Sequence, residues 1–141
     1  MSDVVVRDTG AKLTMEIAVG DHQLMADEAK AIGGQELGPA PHEFLLAGLG
    51  ACTAMTVKLY AARKQWPLEH VSVKLSRRKI KASACPDCTT ATEGEVEEMT
   101  REITLEGPLD ADMRARLLEI ANKCPVHRTL TGEIKIRTSL V

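Results

Sequence analysis

The sequence is poor in aromatic residues. Among its 141 residues it has one Phe, one Tyr and one Trp, at positions 44, 60 and 66. Aromatic stacking is therefore unavailable as a general means of binding, and the core must be built from aliphatic side chains and methionine. Hydrophobic residues make up 44% of the chain and charged residues 27%, which is typical of a globular protein and excludes a disordered one. A chain of this length predicts one domain over residues 1–141.

The chain also lacks a cluster of positive charge, a signal peptide and a long apolar run. Its net charge is −2, and its longest basic stretch, Arg77-Arg78-Lys79, lies in an alternating pattern typical of the solvent-facing side of a strand. No nucleic-acid partner is therefore predicted. The first residues have no basic region followed by an apolar run, and no window approaches the ~20 apolar residues of a membrane span. We expect a cytoplasmic protein with no membrane partner.

Hydrophobic periodicity predicts an α+β fold in the order strands, helix, strands, helix, strand. An apolar helix over residues 43–65 is stopped by Trp66-Pro67, and a second helix begins after Asp110 and ends near Asn122. Glycine and proline pairs mark residues 27–41 as a loop. Alternating polar and apolar residues predict strands within residues 4–26, from residue 69, around residues 99–105 and over residues 134–140.

The first predicted helix is apolar on nearly all sides, since polar residues are scarce before Lys58. Such a helix needs more covering than one small sheet provides. We therefore expect helices of a second subunit to cover it, in a homodimer. The alternative is that the sheet and the second helix of the same chain cover it together.

Cys52 follows two glycines, Gly48 and Gly50, which are poor helix formers. Their position predicts a break in the helix or a close packing contact. If the helix restarts after Gly50, Cys52 lies in a first turn, where the helix dipole lowers the pKa of a thiol and favours the nucleophilic thiolate. The alternative is that Cys52 is a small buried hydrophobic residue.

Cys124 stands at the predicted end of the second helix, beside Pro125 and close to His127 and Arg128. A neighbouring proline and two cationic side chains are consistent with a partly exposed thiol that can be activated. The Cys-Pro-Val-His segment could equally supply half of a metal site. Both interpretations stay open at the level of the residues.

Glu43 is the only acid in the apolar start of the first helix. Its simplest role is a favourable interaction with the helix N-terminus. Nine residues separate it from Cys52, which is ~2.5 turns, so the two would face opposite sides of a straight helix. They can share a site only if the helix bends at residues 48–50, or if Glu43 serves the cysteine of a neighbouring subunit.

Residues 85–88, Cys-Pro-Asp-Cys, form a C-x-x-C pair in a predicted loop between strands. The pair lacks the helix start that tunes thioredoxin-like dithiols. It could supply half of a zinc site, with His70, His127 or a second subunit completing the ligands, because the chain has no second C-x-x-C. A redox role, a zinc site and the absence of any chemical role all remain open.

Three segments of the sequence carry recognisable motifs. They are Gly38-Pro39-Ala40-Pro41-His42-Glu43-Phe44-Leu45-Leu46, Leu49-Gly50-Ala51-Cys52-Thr53-Ala54-Met55 and Ile120-Ala121-Asn122-Lys123-Cys124-Pro125-Val126-His127-Arg128-Thr129-Leu130. Taken in order, these segments resemble the OsmC/Ohr family (osmotically inducible protein C and organic hydroperoxide resistance proteins). The closer likeness is to a less characterised branch with an Asp-Cys loop and the Lys-Cys-Pro-Val-His-Arg-Thr-Leu ending.

The resemblance implies a thiol-dependent peroxidase of the oxidative stress response, acting on organic hydroperoxides or hydrogen peroxide. It implies that Cys52 attacks the O–O bond and becomes a sulfenic acid, that Cys124 condenses with it to a disulfide, and that an external dithiol resets the pair. Glu43 matches the family acid that holds an arginine against the thiolate, and Arg7 is the candidate for that arginine. The implied fold is an intertwined homodimer with its sites at the subunit interface. We assign no cofactor and no metal ion to this site.

Two alternatives belong to other functional classes. One is a metal-binding or redox-sensing protein that uses Cys85 and Cys88. The other is a catalytically silent dimer that binds a small apolar ligand between its helices.

Overall fold

A computed structural model describes residues 3–89 and 93–141. The chain forms two compact units, Met1–Leu45 and Leu46–Val141. Antiparallel strands and helices make both units part of a mixed α+β fold, as the periodicity predicts. That the whole chain is one domain stays a prediction.

The N-terminal unit is built on a three-stranded antiparallel sheet of order β1-β2-β3. Residue 17 of the middle strand pairs with residue 6 on one side and residue 24 on the other. The alternating residues of this region thus form strands, as expected. The strands are β1 Val4–Asp8, β2 Met15–Val19 and β3 His22–Ala26.

The loop after β3 is organised by one buried carboxylate, Asp27, whose exposed fraction is 2%. It accepts hydrogen bonds from the Thr14 hydroxyl at 2.7 Å and from the backbone N–H of Glu28 at 2.8 Å. The N–H groups of Gln35 and Leu37 donate to it at 3.3 Å each. The Thr14 hydrogen bond, with these three backbone bonds, outweighs the effect of burial and lowers the pKa of Asp27 to about 2. The predicted loop is therefore an ordered one.

The C-terminal unit combines most of α1 with a long hairpin and two shorter helices. The two strands of the hairpin pair antiparallel over their whole length. Arg77 lies 2.8 Å from Glu97 and Arg78 lies 2.6 Å from Glu98, so the basic stretch of β4 is paired with acids of β5. The elements are α1 Pro41–Arg63, β4 His70–Lys81, β5 Glu95–Glu106, α2 Ala111–Ala121 and α3 Pro125–Thr131.

One face of α1 supplies the core of this unit. Leu49, Thr53, Val57 and Ala61 are spaced by four residues and are buried, because positions four apart share one face of a helix. Val57 and Ala61 pack with residues 117 and 121 of α2 to form the hydrophobic cluster. This packing fixes α1, α2 and the hairpin relative to one another.

Gly50 lies on this face and packs closely against the hairpin. A Cβ atom at this position would lie 2.5 Å from Cδ1 of Leu75 on β4. Close packing, one of the two explanations predicted for the glycines, therefore applies to Gly50. The other explanation is wrong, since α1 continues through residues 48–50 without ending or restarting.

The opposite side of α1 is exposed in the single chain. Met55 and Leu59 are 62% and 64% exposed. Contrary to the expectation from the sequence, α1 is long and apolar enough to cross a membrane when judged by length and composition alone. A core helix of a soluble protein has the same length and composition. The absence of a membrane partner stays a prediction.

The end of the chain differs from the prediction in two ways. Residues 125–131 form α3, which the periodicity did not reveal. The strand predicted over residues 134–140 is wrong for the structure described: these residues are irregular. A strand needs a hydrogen-bonding neighbour, and Ile136 is instead 85% exposed.

Candidate active site

Cys124 lies between the end of α2 and the start of α3. It is the N-cap residue of α3, and its Sγ accepts a hydrogen bond from the backbone N–H of His127 at 3.2 Å. The side chain is fully buried, with an exposed fraction of 0%. The sequence placed Cys124 correctly at a helix boundary, but it is the start of α3 that contacts the sulfur. The prediction that the Cys124 thiol is partly exposed is therefore wrong for the single chain.

The surroundings of Cys124 favour its thiolate. Burial raises the pKa of this thiol, but hydrogen bonds from the His127 backbone N–H, from Cys52, from Thr53 and from the Val126 backbone N–H together lower the pKa below its ordinary value. The hydrogen bonds act because they stabilise the charged form of the sulfur. Cys124 is therefore the thiol of the pair whose deprotonation the fold assists.

Cys52 lies in the middle of α1, next to Thr53 on the buried face. It is half-buried, unreacted in the structure, and it is one of the hydrogen-bonding neighbours of Cys124. The predicted position of Cys52 in a first helical turn is wrong, because α1 begins at Pro41. The two cysteines that the sequence singled out are nevertheless brought together, and Cys52 is the more accessible of the two.

Arg101 of β5 forms hydrogen bonds to several groups around these thiols. Its Nη1 donates to the Thr53 hydroxyl at 3.0 Å and to the carbonyl of Ala121 at 3.2 Å. Its Nη2 donates to Oδ1 of Asn122 at 2.8 Å. The Thr53 hydroxyl in turn lies 3.8 Å from Sγ of Cys124. One guanidinium therefore joins β5 to α1 and to the end of α2.

The same guanidinium determines the protonation state and the tautomer of His127. Nη2 of Arg101 lies 2.9 Å from Nδ1 of His127, and arginine has only donors, so Nδ1 accepts. Burial, and then the charge of Arg101, lower the pKa of His127, which favours the neutral ring. A neutral ring that accepts at Nδ1 carries its proton on Nε2. His127 therefore offers a hydrogen-bond donor at Nε2.

A cavity of about 260 Å³ adjoins this group of residues. Arg101 and His127 supply polar groups to its wall, while Leu49, Met99 and Leu130 supply apolar surface. Glu97 and Thr131 complete the lining. An apolar cavity with a few polar groups suits a small, mainly apolar substrate. Arg101 and His127 connect this cavity with the surroundings of Cys124.

Sequence reasoning missed Arg101 as a site residue. It lies in an alternating strand pattern in which a charged residue predicts a solvent-facing position. Thr53 stood inside the quoted motifs but was not assigned to the thiol site. His127 was predicted as a cationic neighbour of Cys124, which is wrong, because its lowered pKa favours the neutral ring. A signal existed in the spacing of α1, where Thr53 is the polar member of an otherwise apolar set of residues four apart.

Glu43 takes the simpler of its two predicted roles. Its Oε1 accepts a hydrogen bond from the backbone N–H of Ala40 at 2.9 Å, immediately before α1 begins at Pro41. This bond satisfies a free N–H group at the helix start. That Glu43 shares a site with Cys52, through a bend of α1 at residues 48–50 or through a neighbouring subunit, stays a prediction.

Arg7 lies in β1, where it is exposed and pairs in register with Glu16 of β2. Its predicted role as the arginine of the site stays a prediction. Cys85 and Cys88 form a disulfide in the loop after β4.

The fold and the site define an α+β protein with two neighbouring thiols beside a small cavity. A family model described as OsmC-like protein matches residues 33–139. The chain therefore belongs to the OsmC-like protein family. A search of curated proteins finds no match.

Solved structures of other members share the fold at low sequence identity. An OsmC-like protein from Mycoplasma pneumoniae is 20% identical to this chain and matches it with a TM-score of 0.71. The match covers 94% of this chain and 88% of that protein. An organic hydroperoxide resistance protein OsmC from Legionella pneumophila is 19% identical, with coverages of 94% and 90% and a TM-score of 0.67. The organic hydroperoxide resistance protein OhrB of Bacillus subtilis is 18% identical, with coverages of 94% and 91% and a TM-score of 0.64.

Proposed function

We propose that this chain is a thiol-dependent peroxidase that reduces organic hydroperoxides or hydrogen peroxide through Cys52 and Cys124. The observation that carries the proposal is that the two thiols lie near each other: the hydroxyl of Thr53, the residue after Cys52, is 3.8 Å from Sγ of Cys124. Cys52 is half-buried, and Cys124 is fully buried with a lowered pKa. The family includes proteins named for organic hydroperoxide resistance, which agrees with this chemistry.

The greater accessibility of Cys52 supports the proposal that it takes the first step. A peroxide can approach a half-buried sulfur more readily than a fully buried one. The Cys52 thiolate attacks one peroxide oxygen and the O–O bond breaks. The leaving alkoxide, or hydroxide from hydrogen peroxide, takes a proton to become an alcohol or water. Cys52 is then a sulfenic acid. The Nε2–H of His127 supplies a donor, and the positive charge of Arg101 a favourable field, on the wall of the adjoining cavity for the charge that develops on the leaving oxygen.

The lowered pKa of Cys124 suits the second step. A thiolate is the nucleophile in disulfide formation, so Cys124 attacks the sulfur of the Cys52 sulfenic acid and the departing hydroxide becomes water. A nearby resolving thiol also protects the sulfenic acid from further oxidation. An external dithiol then donates two electrons and two protons, which regenerates both thiols. A reducing cytoplasm, the predicted location, would supply such a reductant.

The test is a disulfide map after oxidation. Reduced protein receives one equivalent of cumene hydroperoxide, is digested and is analysed by mass spectrometry. We expect rapid formation of a Cys52–Cys124 bridge and consumption of peroxide in the presence of a dithiol. Full activity in a Cys52→Ser variant would exclude the mechanism, whereas a Cys85→Ser/Cys88→Ser variant is expected to keep its activity.

A Cys124→Ser variant separates the two steps. It should still form the Cys52 sulfenic acid, which dimedone traps, but it should accumulate sulfinic acid because the buried resolving thiol is gone. Arg7→Ala and Arg101→Ala variants then show which arginine serves the reaction, and Glu43→Gln shows whether the predicted acid contributes.

We also propose that the chain acts as a homodimer. The support is the apolar, exposed side of α1 at Met55 and Leu59, together with the exposed alternating segment over residues 134–140. Large exposed apolar surfaces mark interaction sites.

A further inference from the structure

The hairpin of β4 and β5 ends in a loop that carries a second pair of cysteines, Cys85 and Cys88. Both are half-buried, and their Cα atoms are 5.4 Å apart in a disulfide. Backbone hydrogen bonds shape the loop: Ala82 N–H donates to the Gly94 carbonyl at 2.9 Å, Cys85 N–H to the Ala82 carbonyl at 3.1 Å, and Cys88 N–H to the Cys85 carbonyl at 3.3 Å. These bonds do not involve the sulfurs, so they can hold the pair together when the disulfide is reduced.

This disulfide contributes little as a structural cross-link. It joins residues only three apart in sequence, whereas the β4–β5 ladder already brings the ends of the loop together, from residue 81 paired with residue 95 onward. The stabilisation from a cross-link falls as the closed loop becomes shorter. A chemical role therefore explains the two cysteines better than stability does.

The carboxylate of Asp87, a third potential metal ligand, lies beside the two cysteines. Oδ1 of Asp87 lies 3.3 Å from Sγ of Cys85, and one donor atom from each of Cys85, Asp87 and Cys88 lies within 4.8 Å of the other two. Zinc binds cysteine sulfur at about 2.3 Å and carboxylate oxygen at about 2.0–2.2 Å, so donors at these separations can reach one ion. Two cysteines separated by two residues have the spacing found in zinc sites.

We propose that Cys85, Asp87 and Cys88 form a redox-gated site for a soft divalent cation of the Zn²⁺ class, separate from Cys52 and Cys124. In the dithiol form, two thiolates and one carboxylate bind the ion, water takes the fourth position, and the two thiol protons are released. The disulfide in the structure is the oxidised form of the pair, which cannot bind the ion through sulfur, because two sulfurs bonded to each other are no longer thiolate ligands.

Hydrogen peroxide converts the first form into the second. One thiolate attacks the O–O bond and becomes a sulfenic acid, while the leaving hydroxide takes a proton to become water. The second thiol condenses with the sulfenic acid, which forms the disulfide and a second water, and the ion dissociates. Dithiothreitol reverses the oxidation: it gives two electrons and two protons to the disulfide and becomes a cyclic disulfide itself.

The test uses the full chain, reduced with a phosphine and freed of reductant under nitrogen, and titrated with Zn²⁺ against a chromophoric chelator. We expect one ion per chain, and about tenfold or greater loss of affinity in Cys88→Ser and a smaller loss in Asp87→Asn. The Cys52→Ser/Cys124→Ser variant is the matched control and should bind as the wild type does. Circular dichroism checks that each variant folds.

In the Cys52→Ser/Cys124→Ser variant, where no other thiol pair consumes peroxide, one equivalent of hydrogen peroxide per ion should release the zinc and form the Cys85–Cys88 disulfide, as detected by mass spectrometry. Three results would overturn the proposal. These are the absence of zinc binding by the wild type, binding by the Cys88→Ser variant as tight as that of the wild type, and loss of binding by the Cys52→Ser/Cys124→Ser control. None of these outcomes depends on peroxidase turnover, so this site and the proposed peroxidase function can fail separately.

Discussion

The Arg101 guanidinium donates a hydrogen bond to Nδ1 of His127 at 2.9 Å and so determines which nitrogen of the ring carries the proton. The same side chain bonds Thr53, whose hydroxyl lies 3.8 Å from Sγ of Cys124. The backbone N–H of His127 donates to that sulfur as well. Arg101 therefore reaches the thiol from two sides, through α1 and through α3.

Replacing Arg101 is expected to impair catalysis. In Arg101→Ala, the Thr53 hydroxyl, the Ala121 carbonyl and the His127 ring lose a common donor, and a slight misplacement of reacting groups can cost on the order of 100-fold in rate. We expect kcat/KM for cumene hydroperoxide to fall by about this factor. Arg101→Lys should restore little activity, since an ammonium lacks the planar fork that bonds several acceptors.

The control for this variant is Arg78→Ala, an arginine of the same hairpin whose ion pair with Glu98 lies at the surface. A surface pair contributes little, so its activity should match that of the wild type. The pKa of His127, followed by ring proton resonances, should rise in Arg101→Ala because a neighbouring positive charge is removed. Unchanged kcat/KM and an unchanged His127 pKa would contradict the role given to Arg101.

Asp27 makes the stability of the fold depend on pH in the acid range. Its pKa is about 2 in the folded chain, below the ordinary 3.8, so between these values the unfolded chain binds more protons. The stabilisation is therefore fully present above about pH 4 and is lost as the pH falls towards 2. Urea unfolding of wild type and Asp27→Asn should show a difference in stability that narrows from pH 6 to pH 3.

The exposed Asp21, in the turn between β2 and β3, provides the control for that experiment. It makes none of the buried hydrogen bonds described for Asp27. Asp21→Asn should therefore follow the wild type at each pH. If the difference in free energy of unfolding between wild type and Asp27→Asn stays constant with pH, Asp27 stabilises the fold through packing and neutral hydrogen bonds and not through its charge.

Two glycines of α1 are expected to respond in opposite directions to alanine. A Cβ at Gly48 has nothing within 4 Å, so Gly48→Ala should stabilise the chain by about 0.5–1 kcal/mol through helix propensity. A Cβ at Gly50 meets Leu75 at 2.5 Å, and since overpacking costs about 1–3 kcal/mol, Gly50→Ala should be destabilising. Urea denaturation at pH 7 measures both. A destabilising Gly48→Ala would mean that another surface covers this side of α1.

The sequence predicted the elements of the fold well because each depends on local pattern. Asp110 was predicted to cap α2, and its side chain accepts from the Met113 N–H at 2.8 Å. The short α3 was missed because seven residues that begin with proline show little periodicity. The strand over residues 134–140 was predicted from alternation, but pairing depends on a neighbouring strand that a single sequence does not reveal.

The site was predicted only in part for a related reason. Cys52 and Cys124 carry recognisable chemistry and could be named from their residue type and motif. The effect of Arg101 depends on the register of β5 against β4 and on the packing of α1, both of which are tertiary. The lowered pKa of Cys124 likewise depends on α3, an element absent from the predicted fold.

Leu59 tests the proposed homodimer. It is 64% exposed on the side of α1 away from the core, and a glutamate there would bring a charge into an apolar interface. We expect sedimentation velocity to give the mass of two 15.3 kDa chains for the wild type and of one chain for Leu59→Glu. Leu118→Glu is the matched control, since Leu118 is 60% exposed but lies on α2. If the wild type sediments as a single chain, or if Leu118→Glu dissociates it and Leu59→Glu does not, α1 is not the dimer interface.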